Sequence, residues 1–457
     1  MRYKSKIKIL TAGLFTLSAT SCSDILEKEP ILDTSSSIIF ASNSKIEANL
    51  DGLYATLGSG IPSYFFETDY RGEDIERIID NGGLNSYDMN ISVSGSSSAW
   101  NNMYKTIGEV NEFLNNLENA KNVIGEDYDR VKSEALFLRA LSYYYLNVLY
   151  ARTYKLNPNA KSVPLRLGTP RTLENDLAAS TIEEVHNQIL SDLSDSNISF
   201  LGDEVGTLNG ITHATKAAAY TLRQRIYLER EEWSKAIAEG EKVKGYSLVD
   251  LRTVFIAPYL TNENIFSFPY SDKKKNSLAG SYYVGNNVAI DDNYGVTANP
   301  LYKQQQDVRI SDLSIVRGDR ITIAKYTDRS TGTDWIPVFR YAEVLLNLSE
   351  AYYNTGKEAE AKELLLQVRR RSIPKNVDAL DDSKLTGTTL RDAIYNERRL
   401  EFLGEGIRSI DIHRRGETFL KRAGSLREIK VEPTDKNYIW PIPLSETTQN
   451  KVLTADN

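Results

Sequence analysis

Apolar positions recur at helical spacing along most of this 457-residue chain. Residues three and four apart share one face of a helix, so each run of this kind predicts a stripe that packs on a core. Ile46, Leu50, Leu53 and Leu57 form the first stripe, and Ser44 and Glu47 before it have capping-box spacing. Trp100, Met103, Tyr104, Ile107, Val110, Leu114 and Leu117 predict a second helix. Val131, Ala135, Leu138, Ser142, Tyr145 and Leu149 predict a third. A Pro- and Asn-rich link over 153–170 leads to Ser180 and Glu183, a second capping-box pattern opening a helix of Ile182, Val185, Ile189 and Leu193. Lys216–Arg230 and Trp233–Lys244 predict a helical hairpin turned at Glu231-Glu232, and Arg340–Asn354, Lys357–Arg371 and Thr389–Phe402 predict three further helices. Trp440-Pro-Ile-Pro443 near the end excludes helix there.

Two stretches carry no stripe. Residues 58–99 are rich in Gly, Ser, Asn and aromatics, and residues 246–337 place Tyr270, Tyr282, Tyr283, Tyr294 and Tyr302 among Gly, Asn, Asp and Lys. Both read as irregular inserts, and loops of that length are functional or disordered. The expected architecture is therefore mainly α: a helical frame over 43–57, 100–245 and 338–457 bearing inserts at 58–99 and 246–337. Trp233-Ser-Lys-Ala236-Ile237 in one hairpin, and Ala351-Tyr352, Gly356, Ala361, Leu365 and Val368 in another, set small residues beside aromatic wedges. That resembles the tetratricopeptide repeat. Any antiparallel helix pair offers the same pattern, so both readings stand at this point.

The N-terminus changes the picture of where the chain works. Arg2, Lys4, Lys6 and Lys8 precede an apolar run, Ile9–Leu17, and the small residues Ser18-Ala19-Thr20-Ser21. This is the pattern of a secretory signal, and the run is shorter than the roughly 20 residues that span a membrane. It ends at Cys22, the only cysteine of the chain, which resembles a lipobox with Ala19 where leucine is commonest. We expect residues 1–21 to be a lipoprotein signal peptide, Cys22 to carry acyl chains such as palmitate, and residues 22–42 to form anchor and tether. An ordinary secretory signal with an incidental cysteine is the alternative. Loss of residues 1–21 removes four basic and no acidic residues, leaving a net charge of 51 − 62 = −11. Nucleic acid demands clustered Lys and Arg, which this balance argues against. His186, His213 and His413 are far apart in sequence, so we expect no metal, cofactor or histidine-based triad.

Five segments, taken in order, resemble the SusD/RagB family of outer-membrane lipoproteins from Bacteroidota. They are Ser21-Cys22 through Pro30, Glu134 through Tyr150 with Arg139, Ala140 and Tyr143, Phe339 through Ala351 with Arg340, Glu343 and Glu350, Asn396 through Gly416 with Glu397, Arg398, Glu401 and Asp411, and Trp440-Pro-Ile-Pro443. Gly404 departs from the larger residue common there, and the chain finishes Thr454-Ala-Asp-Asn457 rather than on Gln-Asn. The resemblance spans the mature chain and implies one SusD-like domain over 43–457. It implies a surface-exposed, lipid-anchored protein of the outer membrane that captures an oligosaccharide and passes it to a SusC-like TonB-dependent transporter, acting as a lid. RagB-like members imply peptide capture instead. A tetratricopeptide-type adaptor lipoprotein with no small ligand is a third reading, from a different class.

Glu397, Glu401, Glu405 and Asp411 invite a reading as glycosidase carboxylates. They alternate with Arg398 and Arg408 at helical spacing, which makes ion pairs and lowers carboxylate pKa values, the reverse of what a general acid needs. We therefore expect a scaffold role, for them and for Arg340 and Glu343, and no enzyme. Sugar rings stack their C–H faces on aromatic side chains and hydrogen-bond to polar groups at the rim. The candidates for such a face are Tyr64, Phe66, Tyr70, Arg71, Asp74 and Tyr87 in the first insert, and Tyr282, Tyr283, Asn287 and Tyr294 in the second. Taken singly, each of these aromatics is more readily a plug beneath a long loop; collectively, two to four of them are expected to line the site.

Overall fold

Helices follow one another much as the stripes dictate. The computed structural model describes residues 36–77, 89–95, 97–169, 176–283, 288–290, 307–317, 320–373, 382–423 and 427–454. The expected signal peptide, Cys22 and most of the tether lie outside these residues, as do Tyr87, Asn287 and Tyr294. The main helices are α1 (Asn43–Arg71), α2 (Ser97–Asn119), α3 (Tyr128–Tyr150), α4 (Ile182–Asp192), α5 (Lys216–Glu229), α6 (Trp233–Gly240), α7 (Tyr341–Asn354), α8 (Glu358–Ser372), α9 (Gly387–Glu401), α10 (Ile407–Arg415) and α11 (Leu444–Gln449). The strands are β1 (Ile75–Arg77), β2 (Asn264–Phe268), β3 (Val288–Ile290), β4 (Ser314–Arg317), β5 (Arg320–Ile323), β6 (Ile336–Arg340), β7 (Phe419–Ala423) and β8 (Arg427–Val431).

α3 is the axis of the frame. From Ser133 to Tyr150 every residue except Arg139 is buried, as a helix that is apolar on all sides requires. Arg139 is held by a fork of hydrogen bonds to Asp192 on α4, at 2.8 and 2.6 Å. α2 packs along one side of α3 and α1 along α2. α5 with α6, and α7 with α8, form the two predicted hairpins. Their crossing is close: a Cβ added to Gly240 on α6 would meet Leu348 Cδ2 of α7 at 2.7 Å, and Ala236 and Ala351 are fully buried together. The small residues that suggested repeat pairs therefore sit at the helix crossing.

Two local expectations change. The cap of α4 is one residue later than Ser180: Thr181 accepts the Glu184 N–H, and the Glu184 carboxylate takes the Thr181 N–H, completing a capping box. At α1 the box of Ser44 and Glu47 does not form, since the helix starts at Asn43 and Ser42 makes no side-chain cap.

The larger change is the start of the first insert. Residues 58–71 are not loop; α1 runs through them despite Gly58, Gly60 and an internal Pro62. The glycines mark close approach. A Cβ on Gly58 would lie 2.7 Å from Phe268 Cδ1, and one on Gly60 2.0 Å from Asn102 Oδ1. Pro62 has no N–H to give the Gly58 carbonyl one turn back. The Tyr270 hydroxyl donates to that carbonyl instead, at 2.6 Å, so the break in the ladder is repaired from the second insert.

The second insert is tied in by strands. β2 pairs antiparallel with β6, from Asn264↔Arg340 to Phe268↔Ile336, and both strands are wholly buried. β4 pairs with β5 and β7 with β8 as short hairpins. Near the C-terminus the Trp440 N–H donates to the Leu149 carbonyl at 2.8 Å, and its ring meets Tyr150 edge to face at 5.8 Å. Among the described residues no helix is long and apolar enough to cross a membrane.

Candidate functional site

The two inserts meet. β1, within the first, pairs antiparallel with β3 of the second, with Ile75 opposite Ile290 and Arg77 opposite Val288. Just before β1, the last turns of α1 face the short helix Leu278–Ser281 and the Tyr282 turn that follows it. Phe66 stacks on Tyr70 at 5.8 Å and leans on Tyr282 at 5.2 Å, and Tyr282 stacks on Tyr326 at 5.9 Å. A polar contact sits beneath these rings. The Tyr282 hydroxyl donates to Asp69 Oδ2, and the Gly406 N–H donates to Asp69 Oδ1 at 2.8 Å. Burial pushes the Asp69 carboxyl up to about 7, against the pull of those two bonds and of Lys325.

The structure brings the two inserts together but buries several of the candidate side chains. Tyr64, Tyr70, Arg71, Asp74 and Tyr282 are all buried, at 0–4% exposure, and as placed they cannot stack on a ligand. Tyr64 lies against the Tyr145 ring at 4.0 Å. Arg71 spreads its guanidinium 5.2 Å over Phe419 and donates to the Tyr438 carbonyl, and burial brings its pKa down to about 10. Asp74 accepts from Arg399 Nε at 3.2 Å. The cause is the longer helix: Leu57, Ile61, Tyr64, Phe65 and Thr68 continue the α1 stripe, a signal legible once the glycines are not taken as breakers. Phe66 and Tyr283 are the candidates left part-exposed at the junction.

Sequence reasoning also passed over a hollow elsewhere. A cleft of about 380 Å³ runs along α2 between Trp100, Tyr104, Gly108 and Asn111, closed by Arg166 and by Glu446 and Gln449 of α11. Trp100 is core there, 2% exposed. Arg166 lies 5.5 Å over the Tyr104 ring and pairs with Glu446 at 2.5 Å. Arg166 and Glu446 stand 280 residues apart, which hides the cleft from any local pattern.

The carboxylates that suggested hydrolysis are buried and paired. Arg340 donates to Glu405 and Glu263 at 2.7 Å and to Glu401 at 2.9 Å, and Arg371 reaches both Glu263 and Glu401. Arg309 holds Glu397 at 2.8 Å, and Arg398 and Arg414 hold Asp411 at 2.8 and 3.0 Å. Most partners come from across the fold rather than along one helix, and Glu343 pairs with Arg225 rather than Arg340. Burial alone would raise the Glu401 pKa, but Arg371, Arg340, Arg309 and Lys325 hold it well below the carboxylate range. Asp411 behaves likewise beside Arg398 and Arg414. A general acid needs the opposite. Among the described residues no three His, Cys, Asp or Glu side chains gather as a metal site.

Residues 24–228 match the family model SusD-like, described as "Starch-binding associating with outer membrane", and residues 266–457 match the model of the SusD family. A solved SusD superfamily protein from Bacteroides fragilis is 46% identical, with a TM-score of 0.87 over 91% of this chain and 100% of its own. The chain belongs to the SusD family. A SusD-like protein of Formosa agariphila is 31% identical over 159 residues, which span 33% of this chain and 28% of that protein. The surface glycan-binding protein A from Bacteroides fluxus shares the fold, with 18% identity and a TM-score of 0.72 over 91% of this chain and 98% of its own. The paired helices are thus the tetratricopeptide-like scaffold of the SusD fold. SusD-family proteins bind carbohydrate and are not enzymes, so the buried acids belong to the scaffold.

Proposed function

We propose that this chain is a lipid-anchored protein on the outer face of the outer membrane that captures an oligosaccharide without altering it. It delivers the ligand to a SusC-like TonB-dependent transporter, over which it acts as a lid. Within the SusD family, the observation that carries this reading is the β1–β3 pairing, which brings the two aromatic-bearing inserts together on a rigid helical frame. The family description, starch binding and outer-membrane association, supports the ligand class and the location. The helix pairs supply a surface for the transporter, and the inserts supply the ligand face, with Tyr283, half-buried at the junction, as one aromatic contact and Tyr294, outside the described residues, as a second candidate.

The test is retention of a panel of host and plant glycans by soluble protein beginning after Cys22. Wild type is expected to retain one glycan class, and Tyr283→Ala with Tyr294→Ala is expected to abolish that retention at nearly unchanged Tm. Retention that survives both changes would place the site elsewhere, with the α2–α11 cleft as the next location to probe. Palmitate incorporation that is lost in Cys22→Ala tests the anchor.

A further inference from the structure

Asp69 joins three parts of the chain that are far apart in sequence. It sits on the last turns of α1, accepts the Tyr282 hydroxyl from the second insert, and accepts the Gly406 N–H from the turn between α9 and α10. Each partner is itself fixed. Gly406 has φ +73, and a Cβ there would lie 2.5 Å from Thr68 Oγ1, so the turn is pressed onto α1 beside Asp69. Tyr282 ends a short helix whose start is tied down by Asn276, which donates from its side chain to the Asp334 carbonyl at 2.7 Å and from its N–H to the Gly332 carbonyl. The Tyr282 ring is wedged between Phe66 and Tyr326.

We propose that Asp69 is a positioning residue of the ligand face: it pins the Tyr282 turn of the second insert to the frame, and releasing it lets the insert part from α1 while the helix pairs stay folded. The pin stands on geometry alone; its link to ligand rests on the function proposed above. Tyr283, the next residue, is with Phe66 a part-exposed aromatic at the junction, so the pin sets where the Tyr283 ring lies.

The groups around Asp69 give the pin a pH dependence. Tyr282 faces it from the insert, Lys325 and Tyr326 from the strand side, and Glu405 from the α9–α10 turn. Lys325 is largely spent on Glu405 and on the Glu401 carbonyl, so no cation is dedicated to Asp69. The carboxyl pKa rises from 3.8 to about 7, chiefly by burial. A raised pKa means that the closed junction favours the protonated acid, and the preference is lost as pH rises through about 7. Above that, a buried anion with two neutral donors favours hydration, which requires the turn to lift. Asn at this position keeps both contacts, accepting from Gly406 and donating to the Tyr282 oxygen, and cannot ionise.

Hydrogen exchange of the full soluble chain tests this without any ligand. Tyr282→Phe and Asp69→Ala are expected to speed exchange of the 278–283 amides about fivefold or more, the factor for one lost hydrogen bond, with α9 and α10 amides unchanged. Asp69→Asn is expected to stay within about twofold of wild type. Between about pH 4.5 and about pH 7.5, after correction for intrinsic rates, wild-type 278–283 amides should lose protection while those of Asp69→Asn should not. Unchanged 278–283 exchange in Tyr282→Phe, which keeps the ring and its packing, would overturn the pin, as would a wild-type pH response in Asp69→Asn. Glycan retention is read separately. If wild type retains a glycan and Asp69→Ala weakens it while Asp69→Asn restores it, the pin serves the ligand face; equal retention in all three denies it that role. If wild type retains no glycan, the capture reading fails while the exchange data still decide the pin.

Discussion

Two buried carboxylates, Glu401 and Asp69, show how one fold makes one region rigid and another yielding. Both are almost fully enclosed, at 0% and 4% exposure. Glu401 lies in a hub where Arg340, Arg371, Arg309 and Lys325 surround Glu263, Glu397 and Glu405, and its pKa is driven down. Asp69 has a phenol and one backbone N–H, and its pKa is driven up. Burial is equal; the partners differ. The hub ties α8, α9 and β6 together with charge-assisted bonds, whereas the junction of the inserts relies on neutral donors and stacked rings. The capture proposed above needs both: a frame that does not move and a face that can.

The comparison breaks most visibly in the hub. Arg340→Met should cost about 3–5 kcal/mol in denaturant unfolding, because it leaves Glu401, Glu405 and Glu263 buried without their shared cation. Next, Gly406→Ala should cost about 1–3 kcal/mol, since a side chain there meets Thr68 at a positive φ. Tyr270→Phe should cost about 1–3 kcal/mol by leaving the Gly58 carbonyl, already without its helical donor at Pro62, unpaired. Acid and base act on opposite regions. Lowered pKa values at Glu401 and Asp411 give stability that is present above their unfolded values, 4.5 and 3.8, and is lost as pH falls below them. The raised value at Asp69 gives stability that is full below 3.8 and lost as pH climbs to about 7, so Asp69→Asn should flatten only the upper limb of a stability–pH curve. The smallest effect is Tyr326→Phe. Its hydroxyl is buried at the junction with no hydrogen-bond partner among the described residues, so removing an unsatisfied polar group should raise the unfolding free energy by about 1 kcal/mol.

The frame was legible in the sequence because its helices carry their own signal. Ile182, Val185 and Ile189, or Leu365 and Val368, recur at the helical period, and all are buried. The Ala236–Ala351 contact was readable as small residues at a crossing. The end of α1 was not legible: residues 58–71, expected as loop, keep Gly58, Gly60 and Pro62 inside the helix. Each is explained by a residue distant in sequence, Phe268, Asn102 or Tyr270, and no window along the chain contains both members. Gly404 has the same origin. Its φ is +79, a conformation that favours glycine over the larger residue expected there. The inserts were legible as two irregular aromatic-bearing stretches, but neither their pairing through β1 and β3 nor the burial of individual side chains was. Tyr70 and Tyr282 look alike to composition whether they face solvent or Asp69, and only the tertiary contacts separate the two cases.

The central claim is that the ligand is held where the inserts meet and nowhere on the hub. Hydrogen exchange with and without the retained glycan tests it most directly. The account predicts added protection at residues 66–77, 278–283 and 288–290, with 397–411 unchanged. Protection confined to the helix pairs, or to α2 and α11 around Tyr104, would contradict it.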